Sequence, residues 1–252
     1  MLTERFYKFL LMIKKLKPET RFVISGDYNQ LKCVADRISP EYDYSRNPAL
    51  FELTNFNKIE LTKCRRADDK LFNLIKFDNI PNLTPQQFKT TSKITDYNIH
   101  LCYTNKKRIA INDAMMKAKN IGYKGSLIEL DKLFWDEQSQ DVILQIDSPI
   151  IAKVNKKDMG IVNNERFKIT NIEKNIITIQ NENKTIKFDA VNDDAFQRCF
   201  RICYATSIHS SQGISIGENY LIHQFNHPMF DQRLKYVSLS RARSLEIIHI
   251  YI

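Results

Sequence analysis

The sequence predicts an α/β protein that is interrupted by a small β-rich module. Three observations carry this prediction. Over residues 1–121, short apolar runs alternate with segments of helical spacing. Over residues 122–194, β-branched runs alternate instead with asparagine-rich turns. The α/β pattern then returns and continues to Ile252.

The N-terminal segment predicts a helix followed by a buried strand. Residues 3–16 place four apolar side chains at helical spacing, namely Phe6, Phe9, Leu10 and Ile13. Pro18 ends that helix because proline cannot continue the backbone hydrogen bonds. Residues 21–25 (Arg-Phe-Val-Ile-Ser) are interpreted as a short buried strand that runs into Gly26 and Asp27. Loops at the carboxyl ends of such strands are where open α/β sheets place their ligands.

Further helices and strands are predicted before, within and after the β-rich module. Residues 40–55 are predicted to be mostly loop, and residues 77–97 show little periodicity. Strands are predicted at residues 58–62 and 98–103, a helix at 68–76, and a second helix capped by Thr104 or Asn105. Within the module, strands are predicted at 150–154, 166–170, 176–179 and 185–188, with a hairpin tip at 173–175. The returning strands are predicted at 200–205, 220–223 and 245–252.

Composition favours an intracellular protein with a polyanionic partner. Lys and Arg outnumber Asp and Glu by 38 to 29, giving a net charge of +9, although Lys, Asn and Ile are abundant throughout and part of this charge reflects that bias. No apolar run is long enough for a membrane span, and charges inside the first residues argue against a signal peptide. The five cysteines form no disulfide framework. Cys199, Cys203 and His209 lack a second ligand pair, so no metal site is predicted.

Four polar loops are suited to phosphate. In the first, residues 26–31, Gln30 can hydrogen-bond a terminal phosphate without carrying charge, although an ordinary Gly-Asp turn would look similar. The second contains Arg65 and Arg66, whose guanidinium groups can donate two hydrogen bonds to phosphate oxygens. Taken alone, this loop is better interpreted as a solvated basic turn. The third, residues 204–213, gathers hydroxyls and His209 on a strand-to-helix turn, although a lone histidine is more often structural. The fourth contains Arg241, placed to stabilise charge across a cleft.

Together these loops resemble, in order and spacing, the later motifs of superfamily 1 DNA helicases, in the group of RecD, Dda and the Pif-type enzymes. Gly26-Asp27-x-x-Gln30-Leu31 resembles the third motif, and residues 61–68 (Leu-Thr-Lys-Cys-Arg-Arg-Ala-Asp) the fourth. Residues 101–105 (Leu-Cys-Tyr-Thr-Asn) resemble the short motif that follows. Residues 207–213 (Ser-Ile-His-Ser-Ser-Gln-Gly) resemble the fifth motif, and residues 236–243 (Tyr-Val-Ser-Leu-Ser-Arg-Ala-Arg) the sixth.

The resemblance implies a fold and a set of roles. Residues 1–57 would be the C-terminal remnant of a first RecA-like domain, residues 58–121 and 195–252 a second RecA-like domain, and residues 122–194 an SH3-like insertion. ATP and Mg²⁺ would be the cofactors, and single-stranded DNA at a fork the partner, translocated from 5′ to 3′. The expected catalytic residues are Gln30, Arg66 and Arg241. The expected nucleotide-binding residues are Gly26, Asp27, Gln212 and Gly213. The expected nucleic-acid residues are Thr104, Asn105, Ser207, His209 and Ser210.

The sequence departs from the family pattern in several places. Ser210 stands where a lysine is usual, Lys32 and Cys33 replace prolines, and Asn163-Asn164 stands where Asn-Gly is common. No Gly-x-x-x-x-Gly-Lys-Ser/Thr motif and no Asp-Glu pair ahead of Gly26 occurs. The Met1-Leu-Thr-Glu start resembles the segment just after that acidic pair. We therefore expect the isolated chain to be inactive and to need an N-terminal half that carries the P-loop, encoded on a separate chain, in an upstream reading frame or in an unsequenced exon.

Two other functions fit the same motifs. The chain could be a non-catalytic nucleic-acid-binding relic of a helicase, or a fragment of a viral superfamily 1 RNA helicase. The amino-acid sequence of residues 207–213 and the β-rich insertion favour the DNA helicase group over the RNA helicase group. No membrane partner is expected, and the sequence leaves the compartment open between nucleus, mitochondrion, cytoplasm and viral factory.

Overall fold

The computed structural model describes residues 4–31, 44–192 and 195–252. Met1, Lys32 and Cys33, singled out above, lie outside these ranges. The helices are α1 Glu4–Leu16, α2 Pro48–Leu53, α3 Asp69–Leu74, α4 Asn105–Asn120, α5 Ala195–Cys199 and α6 Gln232–Leu239. The strands are β1 Lys89–Thr91, β2 His100–Cys102, β3 Leu127–Leu130, β4 Val142–Gln145, β5 Pro149–Ala152, β6 Arg166–Glu173, β7 Ile176–Gln180, β8 Thr185–Asp189, β9 Phe200–Ile202, β10 Ala205–Ser207, β11 Tyr220–Ile222 and β12 Ile248–Tyr251. The predicted mixed α/β class is confirmed.

A parallel sheet forms one layer of the fold. Its strand order is β1-β12-β11-β2-β10, and every neighbouring pair runs parallel. Strands β2 and β11 are buried along their whole length, as expected for a parallel sheet covered on both faces. The carboxyl ends of the five strands therefore lie along one edge, where the segments after β2 and β10 begin.

The β-rich module contains two antiparallel sheets. Strands β3 and β4 pair with each other, and a larger sheet has the order β8-β7-β6-β5-β9. The predicted hairpin tip at residues 173–175 is present, with Lys174 at φ 55° between β6 and β7. Buried apolar residues of the module form one cluster with Ile111, Met115 and Met116 of α4. Helix α4 therefore joins the module to the parallel sheet.

The strand predicted at residues 200–205 is divided between the two sheets. Its first half is β9, which pairs antiparallel with β5 of the module. Its second half is β10, which pairs parallel with β2. Phe196, Phe200 and Ile202 pack in the core of the module, so that core extends beyond residue 194. A continuous apolar run carries no information about which sheet each half joins, because both faces are buried in either case.

Two predicted strands are not formed. Residues 21–25 are extended but pair with no described strand, and Val23 is 96% exposed. Phe22 and Ile24 pack on a small cluster built on Tyr7 and the α2 leucines, so alternate side chains point inward. Residues 58–62 are also unpaired, with Ile59 and Leu61 exposed. An apolar run of this length needs a neighbouring strand to become part of a sheet.

Helix α1 forms where it was predicted but buries a different face. Tyr7 is buried, with Leu10 and Leu11 beside it, whereas Phe6 and Phe9 are exposed. The short α2 is the helix that packs on α1, so only one stripe of α1 is covered. The helix ends at Leu16, immediately before Lys17-Pro18, as predicted.

Other helix predictions have mixed outcomes. Asp68 caps α3 by accepting a hydrogen bond from the Leu71 amide at 2.7 Å, and Thr104 caps α4. Helix α2 lies within the segment predicted to be mostly loop, where Asn47 caps it and Pro48 occupies its first turn. None of the described helices has the length and apolar character needed to cross a membrane. Four cysteines lie in the described ranges, and none of them forms a disulfide.

Candidate functional site

The loop at Gly26–Gln30 meets two other predicted site segments. The Gln212 amide Nε2 donates to Gln30 Oε1 at 3.0 Å. The Tyr236 hydroxyl of α6 donates to Asp27 Oδ2 at 2.9 Å. Segments that are about 180 to 210 residues apart in sequence are therefore joined by direct side-chain contacts. These contacts bring the first, third and fourth polar loops of the sequence together.

Asp27 organises the loop that carries Gln30. One carboxylate oxygen accepts from the Asn29 amide at 2.9 Å, and the other accepts from Gln30 Nε2 at 3.2 Å. Because Nε2 is fixed by Asp27, the carbonyl end of Gln30 faces Gln212. Burial and the nearby carboxylate of Asp27 raise the pKa of Tyr236, so its hydroxyl remains a donor at neutral pH.

Arg233 fixes the same loop from α6 and was not predicted. Its Nη1 donates to the Gln30 carbonyl at 2.9 Å and also to the Tyr28 carbonyl. Its guanidinium stacks over the Phe77 ring at 5.7 Å. The sequence did contain a signal for this helix, since Asp231 is a favourable N-cap residue followed by apolar positions at helical spacing.

Arg241 is the most deeply enclosed of the predicted site residues, with 1% of its surface exposed. Its Nε donates to the Val237 carbonyl at 2.9 Å, Nη1 to the Ile214 carbonyl at 3.2 Å and Nη2 to Ser240 Oγ at 3.0 Å. All three acceptors are neutral. Within the described ranges the guanidinium has no carboxylate partner, and a buried charge without a counter-ion is costly.

Arg66 places a second positive charge near Arg241. Burial, and then the charge of Arg66, lower the pKa of Arg241 to about 10. Arg66 itself is exposed and has no hydrogen-bond or ion-pair partner among the described residues. Its loop is attached to the sixth-motif segment, because the Asp68 amide donates to the Arg243 carbonyl at 2.9 Å. The site therefore has two cations and Asp27, whose carboxylate already accepts three hydrogen bonds.

The predicted nucleic-acid residues lie at the carboxyl ends of two adjacent strands. Thr104 follows β2. The side-chain Oε1 of Gln224 accepts from the Thr104 amide and from the Tyr103 amide, each at 3.2 Å. Gln224 adopts a left-handed φ of 60° and was not predicted to take part. Its isolated position after a strand offers no pattern that would have identified it.

The second group of predicted nucleic-acid residues follows β10. Ser207 Oγ donates to Ser210 Oγ at 3.0 Å and accepts from the Ser210 amide at 3.3 Å. His209 is exposed on the short 3₁₀ turn that follows. Asn105, also exposed, accepts from Arg108 Nε at 3.2 Å. Among the described residues, no hydrogen bond joins Thr104 or Asn105 to the Gln30 and Arg241 cluster, so the predicted site residues form two neighbouring groups.

Structures of known proteins resemble this arrangement. A structure of two Pif1 helicases at forked double-stranded DNA is 25% identical, with a TM-score of 0.56, over 76% of this chain and 49% of the other. Bacteroides Pif1 in complex with ADP-AlF3 and single-stranded DNA is 24% identical, with a TM-score of 0.54, over 80% of this chain and 53% of the other. Pif1 from Candida albicans is 15% identical, with a TM-score of 0.66, over 100% of this chain and 70% of the other.

The chain has the fold of the Pif1-type helicases. It spans about half the length of the first two of these structures. No protein-family model matches the sequence, and no curated protein sequence does either. The resemblance therefore rests on the structure and on the order of the motifs.

Gly213 has a conformational role within this Pif1-type fold. Its φ is +95°, a value that side-chain-bearing residues rarely adopt, and an added Cβ would meet no atom. We expect Gly213→Ala to lower the free energy of unfolding by about 1–2 kcal/mol through backbone strain alone. Urea denaturation measures this change.

Gly26 provides the matched control, because an added Cβ there also meets no atom and its φ is outside the left-handed range. Gly26→Ala is expected to change the free energy of unfolding by no more than about 0.5 kcal/mol. Equal effects of the two substitutions would contradict the strain argument. The backbone at Gly26 thus does not require glycine.

The described ranges contain no group of three or more His, Cys, Asp or Glu side chains placed to hold a metal ion. Within this Pif1-type fold, Asp27 is engaged with Asn29, Gln30 and Tyr236, so it offers no acidic cluster for Mg²⁺.

Proposed function

We propose that this chain is the part of an ATP-dependent DNA helicase that recognises the γ-phosphate and holds the single strand. The observation that carries the proposal is the meeting of the segments that hold Arg241, Arg66 and Gln30. Two cations share this site, and neither has a carboxylate partner among the residues that the structure describes. Such an arrangement is suited to an anion with several oxygens.

The side chains at this site fit a nucleoside triphosphate. When bound, ATP supplies the phosphoanhydride bond whose hydrolysis drives the cycle. Arg241 donates only to neutral acceptors, so a phosphate oxygen offers its guanidinium a stronger partner. Arg66 is exposed and free to contribute a second fork. We assign both arginines to stabilising charge on the terminal phosphate.

Gln30 and Gln212 are proposed to couple the nucleotide to the strand-holding turn. Their direct contact joins the third-motif loop to the turn that begins at Ser207. When Gln30 turns its amide towards the terminal phosphate, Gln212 loses its partner and the turn is released. Gly213 allows this turn to change direction because its backbone reaches the left-handed range.

Single-stranded DNA is the proposed partner at the ends of β2 and β10. The hydroxyls of Thr104, Ser207 and Ser210, with the exposed side chains of Asn105 and His209, are suited to backbone phosphates rather than to base edges. Strong salt dependence is therefore expected. The family resemblance adds the proposal of 5′-to-3′ movement, with unwinding at a fork.

A P-loop half is proposed to supply the parts that these 252 residues lack. They contain no phosphate-binding glycine loop, and no Asp-Glu pair precedes Gly26. That half would supply the lysine and the acidic ligands for Mg²⁺.

The test compares ATP hydrolysis by the isolated chain and by the chain mixed with the P-loop half, with and without single-stranded DNA. We expect no stimulated hydrolysis from the isolated chain and clear stimulation from the mixture. Turnover by the isolated chain would contradict the need for a second half. Strand binding without any gain of hydrolysis in the mixture would identify a non-catalytic relic. Stimulation by RNA but not by DNA would favour the RNA helicase alternative.

A further inference from the structure

A narrow cleft lies between α4, the module and the turn after β10. Its polar lining consists of Arg108, Asn164, Arg201, Thr206 and Ser210. Its volume is about 20 Å³. A space of about 10–15 Å³ holds one water molecule, so the cleft has room for one oxygen atom of that size.

Arg108 contributes a buried cation with an unused donor to this cleft. The residue is 3% exposed. Its Nε donates to Asn105 Oδ1 at 3.2 Å and its Nη2 to the Gln138 carbonyl at 2.7 Å. Its Nη1 is buried and has no hydrogen-bond partner among the described residues. A buried guanidinium nitrogen without an acceptor is unfavourable unless a ligand supplies one.

Arg201 places a second cation at the mouth of the cleft. Its Nη1 donates to Gln138 Oε1 at 3.4 Å, so Gln138 holds both guanidinium groups through its two oxygens. Burial, and then the charge of Arg201, lower the pKa of Arg108. The nearby carboxylate of Asp136 is already paired with Lys153 at 2.8 Å. The two like charges are therefore adjacent and not neutralised by an acidic partner of their own.

Hydroxyl and amide groups complete the lining. Ser210 reaches the cleft from the turn that holds Ser207, and Thr206 lies beside it. Asn164 contributes from the module and adopts a left-handed φ of 67°. Both Ser210 and Asn164 are among the departures from the helicase pattern noted in the sequence. The cleft thus combines two cations with neutral hydrogen-bonding groups.

We propose that Arg108 and Arg201, with Thr206 and Ser210, form a subsite for one phosphodiester group of the bound single strand. This inference rests on the proposed function for the identity of the strand. A non-bridging phosphate oxygen enters the cleft and accepts from Arg108 Nη1, while Arg201 contacts the second oxygen at the mouth. The two arginines supply the positive charge that the turn lacks because Ser210 stands in place of lysine.

Arg201→Gln tests the subsite, because Arg201 is only half-buried and glutamine can replace it without disturbing folding. Fluorescence anisotropy with a labelled oligothymidylate is measured over a series of salt concentrations. We expect affinity to fall about tenfold at low salt and the salt slope to fall by about 0.7, the value for one phosphate on a single strand. Lys187→Gln makes the same charge change on β8, at the opposite edge of the same sheet, and should change neither quantity.

Arg108→Met provides a second variant with a separate stability readout. Since Arg108 is a buried charge beside another cation, its removal should cost little stability while reducing affinity as Arg201→Gln does. Unchanged affinity and salt slope in both variants, with wild-type strand binding intact, would overturn the subsite and leave the proposed function standing.

Dimethyl phosphate separates the two proposals. In wild-type protein with ¹⁵N-labelled arginine, we expect this compound to shift the side-chain resonances of Arg108 and Arg201, and Arg201→Gln to abolish the Arg108 shift. The same shifts in a protein that does not bind single-stranded DNA would support the subsite and contradict the proposed function. Absence of both shifts would overturn the subsite.

Discussion

Arg241→Gln is expected to reduce DNA-stimulated ATP hydrolysis by about a thousandfold or more when the chain is combined with the P-loop half. Arginines that stabilise the terminal phosphate contribute about 10³–10⁵ to the rate of phosphoryl transfer. Glutamine keeps the capacity to form hydrogen bonds but removes the positive charge. The substitution should therefore lower the rate of ATP hydrolysis. Steady-state phosphate release with saturating single-stranded DNA measures the effect.

The design of this experiment depends on the burial of Arg241. Because its guanidinium is enclosed by three neutral acceptors, the variant must also be compared with wild type by thermal unfolding and by strand affinity. Arg243→Gln is the matched control, since Arg243 lies two residues further on and is exposed. Folded Arg241→Gln protein that hydrolyses ATP like the Arg243→Gln control would contradict the role of Arg241.

Acid is expected to destabilise the protein strongly between pH 7 and pH 5 because two histidines are buried in neutral form. Burial lowers the pKa of His100 to about 4 and that of His223 to about 3. At pH 7 both the folded and the unfolded chain hold these groups neutral. Below about pH 6.5 only the unfolded chain takes up protons, so the free energy of unfolding falls until the folded pKa values are reached.

Hydrogen bonding fixes how these two imidazoles are protonated. His100 Nε2 lies 3.2 Å from the Tyr97 carbonyl, which can only accept, so Nε2 carries the proton. His100 Nδ1 is then an acceptor, and His223 Nε2 donates to it at 3.1 Å. His223 Nδ1 is left as a buried lone pair without a partner in the described ranges. The Tyr251 ring stacks on the His223 ring, with 4.7 Å between the ring centroids. Lys107 Nζ lies 5.0 Å from the centroid of the Tyr251 ring.

The size of the acid effect follows from the two pKa shifts. Each histidine should contribute about 2 kcal/mol of lost stability between pH 7 and pH 5, or about 4 kcal/mol together. Urea denaturation at a series of pH values measures this loss. In His223→Gln, the glutamine amide can still donate to His100 but does not titrate, so the loss should be about 2 kcal/mol smaller.

An exposed histidine provides the control for the acid effect. His209→Gln removes an exposed histidine and leaves the buried pair intact, so it serves as the matched variant for His223→Gln. Because surface carboxylates also titrate near pH 5, the difference between the two variants isolates the contribution of the buried pair. A wild-type protein whose stability is flat between pH 7 and pH 5 would contradict the neutral assignment.

The sequence predicted the loops of the candidate site better than the elements that hold them. Gln30, Gln212 and Arg241 were each identified from local motifs, and the structure brings their segments together. Their contacts depend on the packing of the loop at residues 26–30 against α6 and against the turn after β10. Local motifs were therefore sufficient to name these residues, because each motif lies in one short stretch of chain.

The contacts that support the site were not predictable in the same way. Arg233 and Gln224 act through long-range hydrogen bonds, to a loop about 200 residues away and to a turn about 120 residues away. No local pattern marks such residues. The prediction of a strand at residues 21–25 was wrong for a related reason. An apolar run does not reveal whether a neighbouring strand is present to pair with it.

The division of residues 200–207 between two sheets has a mechanical consequence. Only Cys203 and Tyr204 separate β9 in the module from β10 in the parallel sheet, and both are buried. Two residues span at most about 7 Å, so this link contains almost no slack. A force that tilts the module would be transmitted along the chain into Ser207 within a few bonds. The β-rich module and the turn that begins at Ser207 are therefore mechanically coupled.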